Sequence, residues 1–441
     1  MPERYFTAQP SAEEIEQRIA GFGGWFEVDL DALSANLKAI RERTGAEVMP
    51  VVKNNAYGHG LRPICSALVS DGVKWLMVAK LSEALAITSW RLPCHVLNMD
   101  MLYTDDQFRQ VVASDVTQVV YTRDLVQRLN KAAVELGRQV GVFVKVDTGL
   151  HRVGVAHSDA ISLMKEIAAM PAIEIRGTFT TQMQDDEQDQ LIFDRFQRVL
   201  DQMANEGIDP GFRSLASSHG IFHYPQSWLD MVRPAMALYG IYPWTPDRDC
   251  GLALRQVLTF KARIEELKPV KKGETVTYFG KYTATRDMEV GTLHVGFYDG
   301  LPREMANKGT VLIGGQSCPS IGSVSLNHYL FDATGVEAEI GNVVEVIARE
   351  GLNDLVTTAE TADWMVYSLL NHLSPFVPRV YYRGEVPVAL HEIGVYRGSR
   401  GSKKPYLHQQ MKTLVHAGDF LFRLRTRWCG SCREPYQSSE S

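Results

Sequence analysis

No run of apolar residues is long enough to span a bilayer, and the first twenty residues, MPERYFTAQPSAEEIEQRIA, are polar and acidic where an export signal needs an apolar stretch. A cytoplasmic protein with no membrane partner is the expectation. Positive charge is not in excess: 46 Lys and Arg against 52 Asp and Glu give a formal net charge of −6. That balance leaves no electrostatic footprint for nucleic acid. Cysteine is sparse, with six in 441 residues. Cys65, Cys94, Cys250 and Cys318 stand alone and read as small apolar residues of the interior. Cys429 and Cys432 have Cys-x-x-Cys spacing, but no second pair or histidine cluster completes a zinc set, so no metal is expected. Repeats and low-complexity blocks are absent as well.

What remains is ordinary for a soluble enzyme, 45% hydrophobic and 22% charged, and long enough for a large barrel plus a second domain. After a short N-terminal helical segment (1–24), WFEVDLDALSANLKAIRER reads as a strand and a helix, with Asp31 a suitable cap near its start. From residue 46, apolar runs alternate with amphipathic helices: EVMPVVK, WLMVAK, CHVLNM, TQVVYT, VGVFVKVD, EIRGTFT, FRSLAS and AMALYG. Near-continuous apolar strands separated by helices predict a parallel (β/α)8 TIM-like barrel over 25–250, with a doubly wound sheet as the alternative. From 251 to 382, short strands between Gly, Asp and Asn turns predict a mostly antiparallel β domain. Residues 383–441 form an extension of unknown role.

In such a barrel the chemistry sits at the C-terminal ends of the strands. Lys53 ends the first strand, in VVKNNAYGHG. A solvated strand end is the bland reading of this lysine; an amine kept partly deprotonated to attack a carbonyl is the other. Lys145, Asp147 and Arg152 end the fifth strand, Thr181 follows the sixth, and Ser218 and His219 follow the seventh. That convergence favours the second reading.

VVKNNAYGHG, KVDTGLHRVG, DMVRPAMALYG, VTYFGKYTA and PFVPRVYY occur in the order found in the alanine racemase family, which the chain resembles from about Trp25 to Tyr382. The resemblance implies a pyridoxal 5'-phosphate enzyme, an isomerase that racemises amino acids. Lys53 would carry the cofactor as a Schiff base and act as one base. Tyr278 would be the second base, reaching the site from the other subunit of a homodimer. Arg233 would face the pyridine nitrogen, where a guanidinium cannot readily give up a proton. Tyr57, Ser218 and the backbone N–H groups of Ala235 and Met236 would hold the phosphate. Arg152 would hold the substrate carboxylate, and Lys145 would carry a carbamate or make an ordinary ion pair.

Several positions depart from the family pattern. TTQM stands where the family reads THFA and puts Thr181 in place of a histidine. GFYDG puts Phe297 in place of a tyrosine, SLNH puts Leu326 and Asn327 in place of Met and Asp on the substrate side, and ADWMV puts Trp364 at a phosphate-side tyrosine. Alanine therefore need not be the substrate. A decarboxylase, an aldolase-like lyase and a non-catalytic cofactor-binding homologue stay open as alternatives.

Overall fold

A computed structural model describes residues 4–243 and 245–392; Cys429 and Cys432, and all of the extension beyond 392, lie outside the described residues. The helix Ala12–Ile19 is held by a capping box, in which Ser11 Oγ accepts the Glu14 N–H and the Glu14 carboxylate accepts the Ser11 N–H. Strand β1 (Gly24–Asp29) follows, and its last residue caps the next helix, Leu30–Thr44, with Asp29 Oδ1 accepting the Ala32 N–H at 2.8 Å. Asp31 is therefore not the cap. It lies in the first helical turn and pairs with Arg383.

The next strands are short: β2 (Glu47–Val48), β3 (Trp75–Val78), β4 (His95–Asn98), β5 (Thr117–Val120), β6 (Val140–Asp147) with the two-residue β7 (Val155–Ala156) beside it, β8 (Ile173–Phe179), β9 (Phe212–Ser214) and β10 (Met231–Val232). Leaving out β7, they pair in parallel in chain order. β10 returns to β2, and Val51 bridges Met77, which closes the barrel. Helices cover the outer face, so β3 is buried along its whole length and apolar without alternation; β5 is buried too, with Gln118 bonded to Asn98 and to the Asp100 carbonyl.

The eighth strand lies earlier than the sequence pattern places it. AMALYG (235–240) forms turns, with the Leu238 N–H donating to the Ala235 carbonyl and the Gly240 N–H to the Ala237 carbonyl; the strand is Met231–Val232. Pro234 has no N–H with which to extend the ladder. Gly240, at φ +74, comes so close to the Arg255 carbonyl oxygen that a Cβ would sit 1.7 Å from it.

The second sheet contains β11 (Leu258–Val270), β14 (Met288–Leu293), β15 (Thr310–Ile313), β16 (Gln316–Ile321), β17 (Tyr329–Asp332), β18 (Val343–Ile347), β19 (Arg379–Arg383) and β20 (Val386–His391), besides β1; β12 (Thr275–Val276) and β13 (Tyr282–Thr283) form a separate hairpin. The order is β14-β17-β16-β15-β18-β11-β1-β19-β20, and β11 also pairs with β14, so part of the sheet closes on itself. β1 therefore precedes the barrel in the chain but sits in this sheet, antiparallel to β11 and parallel to β19. The β19–β20 hairpin runs across residue 382, the expected domain boundary. Among the described residues no helix is long and apolar enough to cross a membrane.

Candidate active site

Lys53 stands where β2 gives way to a turn of unusual handedness. Asn54, Asn55, Ala56 and Tyr57 all have positive φ, between 51° and 57°. Left-handed backbone costs an L-residue about 1–2 kcal/mol, and Asn tolerates it best because its short amide can bond locally. Such bonds are present: Asn55 Oδ1 accepts the Leu61 N–H at 2.8 Å, and the Asn55 N–H donates to Glu83 Oε1 at 2.8 Å. The two glycines lie under other backbone and side-chain atoms. A Cβ on Gly58 would be 2.7 Å from the Leu370 carbonyl oxygen, and one on Gly60 would be 1.9 Å from Tyr381 Oη. His59 is fully buried, stacks 4.3 Å from the Tyr239 ring, and faces the Ala56 and Tyr57 carbonyls through Nδ1. It holds the turn.

The Lys53 amine is half-buried, and burial lowers its pKa from the usual lysine value; the Arg152 guanidinium acts in the same direction and Glu83 opposes it. Tyr57 is buried, with the Lys53 ammonium 5.9 Å from its ring centre. Burial raises the phenol's pKa, with Tyr367 adding to the effect.

Arg233 is buried at the same end of the barrel. It donates from Nη1 to Ser214 Oγ, and from Nη2 to the Thr180 carbonyl at 2.7 Å and the Leu215 carbonyl at 3.2 Å. Burial lowers its pKa to about 9, so the guanidinium stays charged at neutral pH. Lys145, buried in β6, donates to Thr181 Oγ1 at 2.6 Å. Burial puts its pKa well below the usual lysine value, Arg233 and Arg152 push the same way, and Asp147 opposes them. Arg152 itself is exposed, in the loop that Asp147 shapes by accepting the Gly149 and His151 N–H groups at 3.0 Å. Ser218 Oγ accepts the N–H groups of Ala235 at 3.0 Å and Ala237 at 3.2 Å. The Ala235 donor, expected to face an anion, is thus turned onto Ser218, and Ala237 joins it.

Tyr278 belongs to a different place. It is 71% exposed, on the turn between β12 and β13, and lines a cavity of about 470 Å³ with Phe297, Arg303, Leu326, Asn327 and His328. Among the described residues, those lining this cavity all fall between 278 and 328, and none comes from the barrel mouth. Lys281 and Arg303 give it positive charge, and among the described residues no carboxylate lines it.

Trp364 packs its ring 5.0 Å from that of His372 and lines a surface pocket with Pro243, Val356 and Tyr367. The phenol that shares the electrostatic surroundings of Tyr57 is Tyr367, and burial raises its own pKa to about 12. Sequence reading passed over Tyr367. The signal was a tyrosine on the helix just before PFVPRVYY, one turn beyond the tryptophan that drew attention. Asp189 was also missed: it is buried, accepts the Met183 N–H at 2.6 Å and faces His219 at 3.6 Å, which anchors the loop carrying Thr181.

The donor set at the barrel mouth is an amine with a lowered pKa, a fixed buried guanidinium, two hydroxyls and a tight turn with backbone N–H groups. It fits a flat nitrogen heterocycle that bears a phosphate and carries a carbonyl within reach of an amine.

Two family models match the chain, "Alanine racemase, N-terminal domain" over residues 28–243 and "Alanine racemase, C-terminal domain" over 257–381. Among curated relatives, the alanine racemase of Symbiobacterium thermophilum is 32% identical over 82% of this chain and 97% of its own length. Alanine racemase 2 of Caldanaerobacter subterraneus is 34% identical over 82% of this chain and 95% of its own. Among solved structures, the alanine racemase of Streptomyces lavendulae superposes with a TM-score of 0.77 at 28% identity, over 82% of this chain and 97% of that one. The Clostridium difficile 630 enzyme gives 0.78 at 26% identity, over 84% and 98%.

Proposed function

The chain belongs to the alanine racemase family, and we propose that it is a pyridoxal phosphate-dependent racemase using Lys53 and Tyr278 as its two acid–base groups. The observation that carries this reading is the Lys53 amine, held toward its neutral form beside Arg152 at the mouth of the barrel. Lys53 would hold the cofactor, Tyr57 and Ser218 would meet its phosphate with help from the turn at Ala235 and Met236, and Arg233 would face its ring nitrogen. When bound, the cofactor draws electrons from Cα of the amino acid attached to it and so makes the Cα proton acidic.

The chain's own residues divide the rest. Lys53 Nζ takes or returns a proton on one face of Cα, and Tyr278 Oη does so on the other. Arg233, locked by three oxygen acceptors, stays charged and withholds its proton from the ring nitrogen. That keeps electron withdrawal modest and favours return of the proton to Cα over other outcomes. Arg152 orients the substrate carboxylate, with Leu326 and Asn327 on the substrate side. Because the Tyr278 cavity shares no residue with the barrel mouth, the working form in this proposal is a cytoplasmic head-to-tail homodimer, in which Tyr278 completes the neighbour's site. Thr181, Phe297 and Asn327, together with a cationic cavity free of carboxylates, support a substrate side chain other than methyl.

The test is incubation with a panel of L-amino acids in D2O, followed by chiral analysis and mass spectrometry. Inversion with deuterium at Cα is the expected result, and the preferred substrate is the one with the highest kcat/KM. Alanine ranking first would overturn the substrate assignment alone; loss of carbon dioxide or Cα–Cβ cleavage faster than any inversion would overturn the racemase. Borohydride treatment should attach the cofactor to Lys53, read by peptide mapping, and Lys53→Ala should abolish that attachment. Tyr278→Phe, which removes only a hydroxyl, should retain the cofactor and lose about 10²–10⁴-fold in racemisation.

A further inference from the structure

Beside the Tyr278 cavity, whose lining includes His328, three side chains that could ligate a metal converge on one edge of the second sheet. Glu265 Oε2 lies 3.2 Å from His294 Nδ1 and 3.3 Å from His328 Nε2. The three ligand atoms all fall within 4.8 Å of one another. Strand register explains why they meet. Ile264 of β11 pairs with Leu293 of β14, which pairs in turn with Tyr329 of β17. Each of the three side chains is the immediate neighbour of a residue in that one row.

Glu265 has a further structural reason for its direction. The β11–β14 pairing shifts register between Ile264 and Glu266, so Glu265 is the extra residue of a β-bulge. A bulge leaves its extra residue out of the ladder and re-aims its side chain. Here the side chain is turned toward both histidines.

We propose that Glu265, His294 and His328 form a binding site for a divalent transition-metal ion, with zinc the best match. Two imidazoles and a carboxylate suit zinc and its neighbours in the first transition row and poorly suit magnesium or calcium, which take all-oxygen shells. With metal–ligand bonds of about 2.0–2.1 Å, the edge of a tetrahedron is about 3.3 Å, which the Glu265–His294 and Glu265–His328 separations match. They are long for charge-assisted hydrogen bonds, which run at about 2.7–2.9 Å. Three protein ligands leave the fourth position to water.

Occupancy would tie β11, β14 and the loop 322–328 together. That loop carries Leu326 and Asn327 and is already pinned to the neighbouring segment, where the Phe297 N–H donates to the Ser325 carbonyl and the Tyr298 N–H to the Leu326 carbonyl. The metal would thus fix one wall of the Tyr278 cavity. It takes no part in proton transfer.

The test uses the full chain, freed of metal by a chelator and dialysed, with Cys429→Ser and Cys432→Ser in the background so that the cysteine pair cannot bind. Titration with zinc chloride, followed by calorimetry and elemental analysis, should give one ion per chain. Cobalt(II) should give the intense visible absorption of a four-coordinate site, and magnesium chloride should give no heat. His294→Ala and His328→Ala should each weaken zinc binding by at least about 100-fold, since loss of even an outer-shell partner costs up to that much. Glu265→Gln preserves shape and fold, and should weaken it as well while leaving the metal-free melting temperature unchanged. Zinc uptake that survives all three substitutions, or no uptake at 100-fold excess over protein, would overturn the site.

Discussion

At the scale of single residues, His59 shows how a residue that resembles a catalytic group is set by burial into a structural role. Burial lowers its pKa to about 4 from 6.5, against the opposing effect of the Ala56 and Tyr57 carbonyls. Between those two values the unfolded chain binds a proton that the folded chain excludes. Stability therefore falls as pH drops from 6.5 toward 4, and His59 adds no pH dependence above that window. The effect amounts to about 3 kcal/mol at its lower end. Thermal melts from pH 7 to pH 4 should show the wild type losing more melting temperature than His59→Gln. Parallel slopes would mean that another group carries the acid sensitivity.

At the scale of elements, the segment 53–60 is where the sequence was most informative about function and least informative about shape. Lys53 and the two glycines marked it as a site, because a lysine at an apolar strand's end and a Gly-x-Gly pair need explaining. Four consecutive left-handed residues were not readable, since the contacts that impose them, Glu83 on the Asn55 N–H and Leu370 over Gly58, come from distant parts of the chain. Crowding at Gly60 can be separated from backbone strain. Gly60 (φ +99) and Gly45 (φ +63) both have positive φ, but only Gly60 is crowded, by Tyr381 Oη, which donates to the His59 carbonyl at 2.9 Å. Gly45→Ala should cost about 1 kcal/mol, the strain alone. Gly60→Ala should cost at least about 1 kcal/mol more, through loss of the Tyr381 hydrogen bond. Calorimetric melting of both variants checks this, and equal losses would remove the crowding argument.

The barrel strands were legible for the same reason that the eighth was misplaced. Apolar runs show where a strand can be buried, but hydrogen-bond supply decides whether a strand forms: Pro234 has no N–H, and the Leu238 and Gly240 N–H groups turn back onto the Ala235 and Ala237 carbonyls. Periodicity is equally silent about Glu265 and His294, 29 residues apart, which meet only because of strand register and a bulge.

At the scale of the whole molecule, the separation of Tyr278 from Lys53 predicts shared sites. Lys53→Ala and Tyr278→Phe chains, each impaired alone, should recover activity when mixed and allowed to exchange subunits, because one site of the hybrid dimer keeps both groups. Recovery in proportion to the hybrid fraction, measured by native mass spectrometry, is the expected result. No recovery despite verified exchange would place both groups in one chain.

The position of β1 also bears on the order in which the protein is made. Its partners, β11 and β19, are translated more than two hundred residues later than β1 itself. During synthesis the barrel, whose last strand ends at Val232, has all of its own pieces while Trp25, Phe26 and Val28 still lack the neighbours that bury them. A fragment ending near residue 243 would contain every strand of the barrel and leave β1 as an open, apolar strand edge, the kind of surface that holdases engage. The ribosome therefore releases this protein's halves out of step, and the strand it makes first is among the last to find its place.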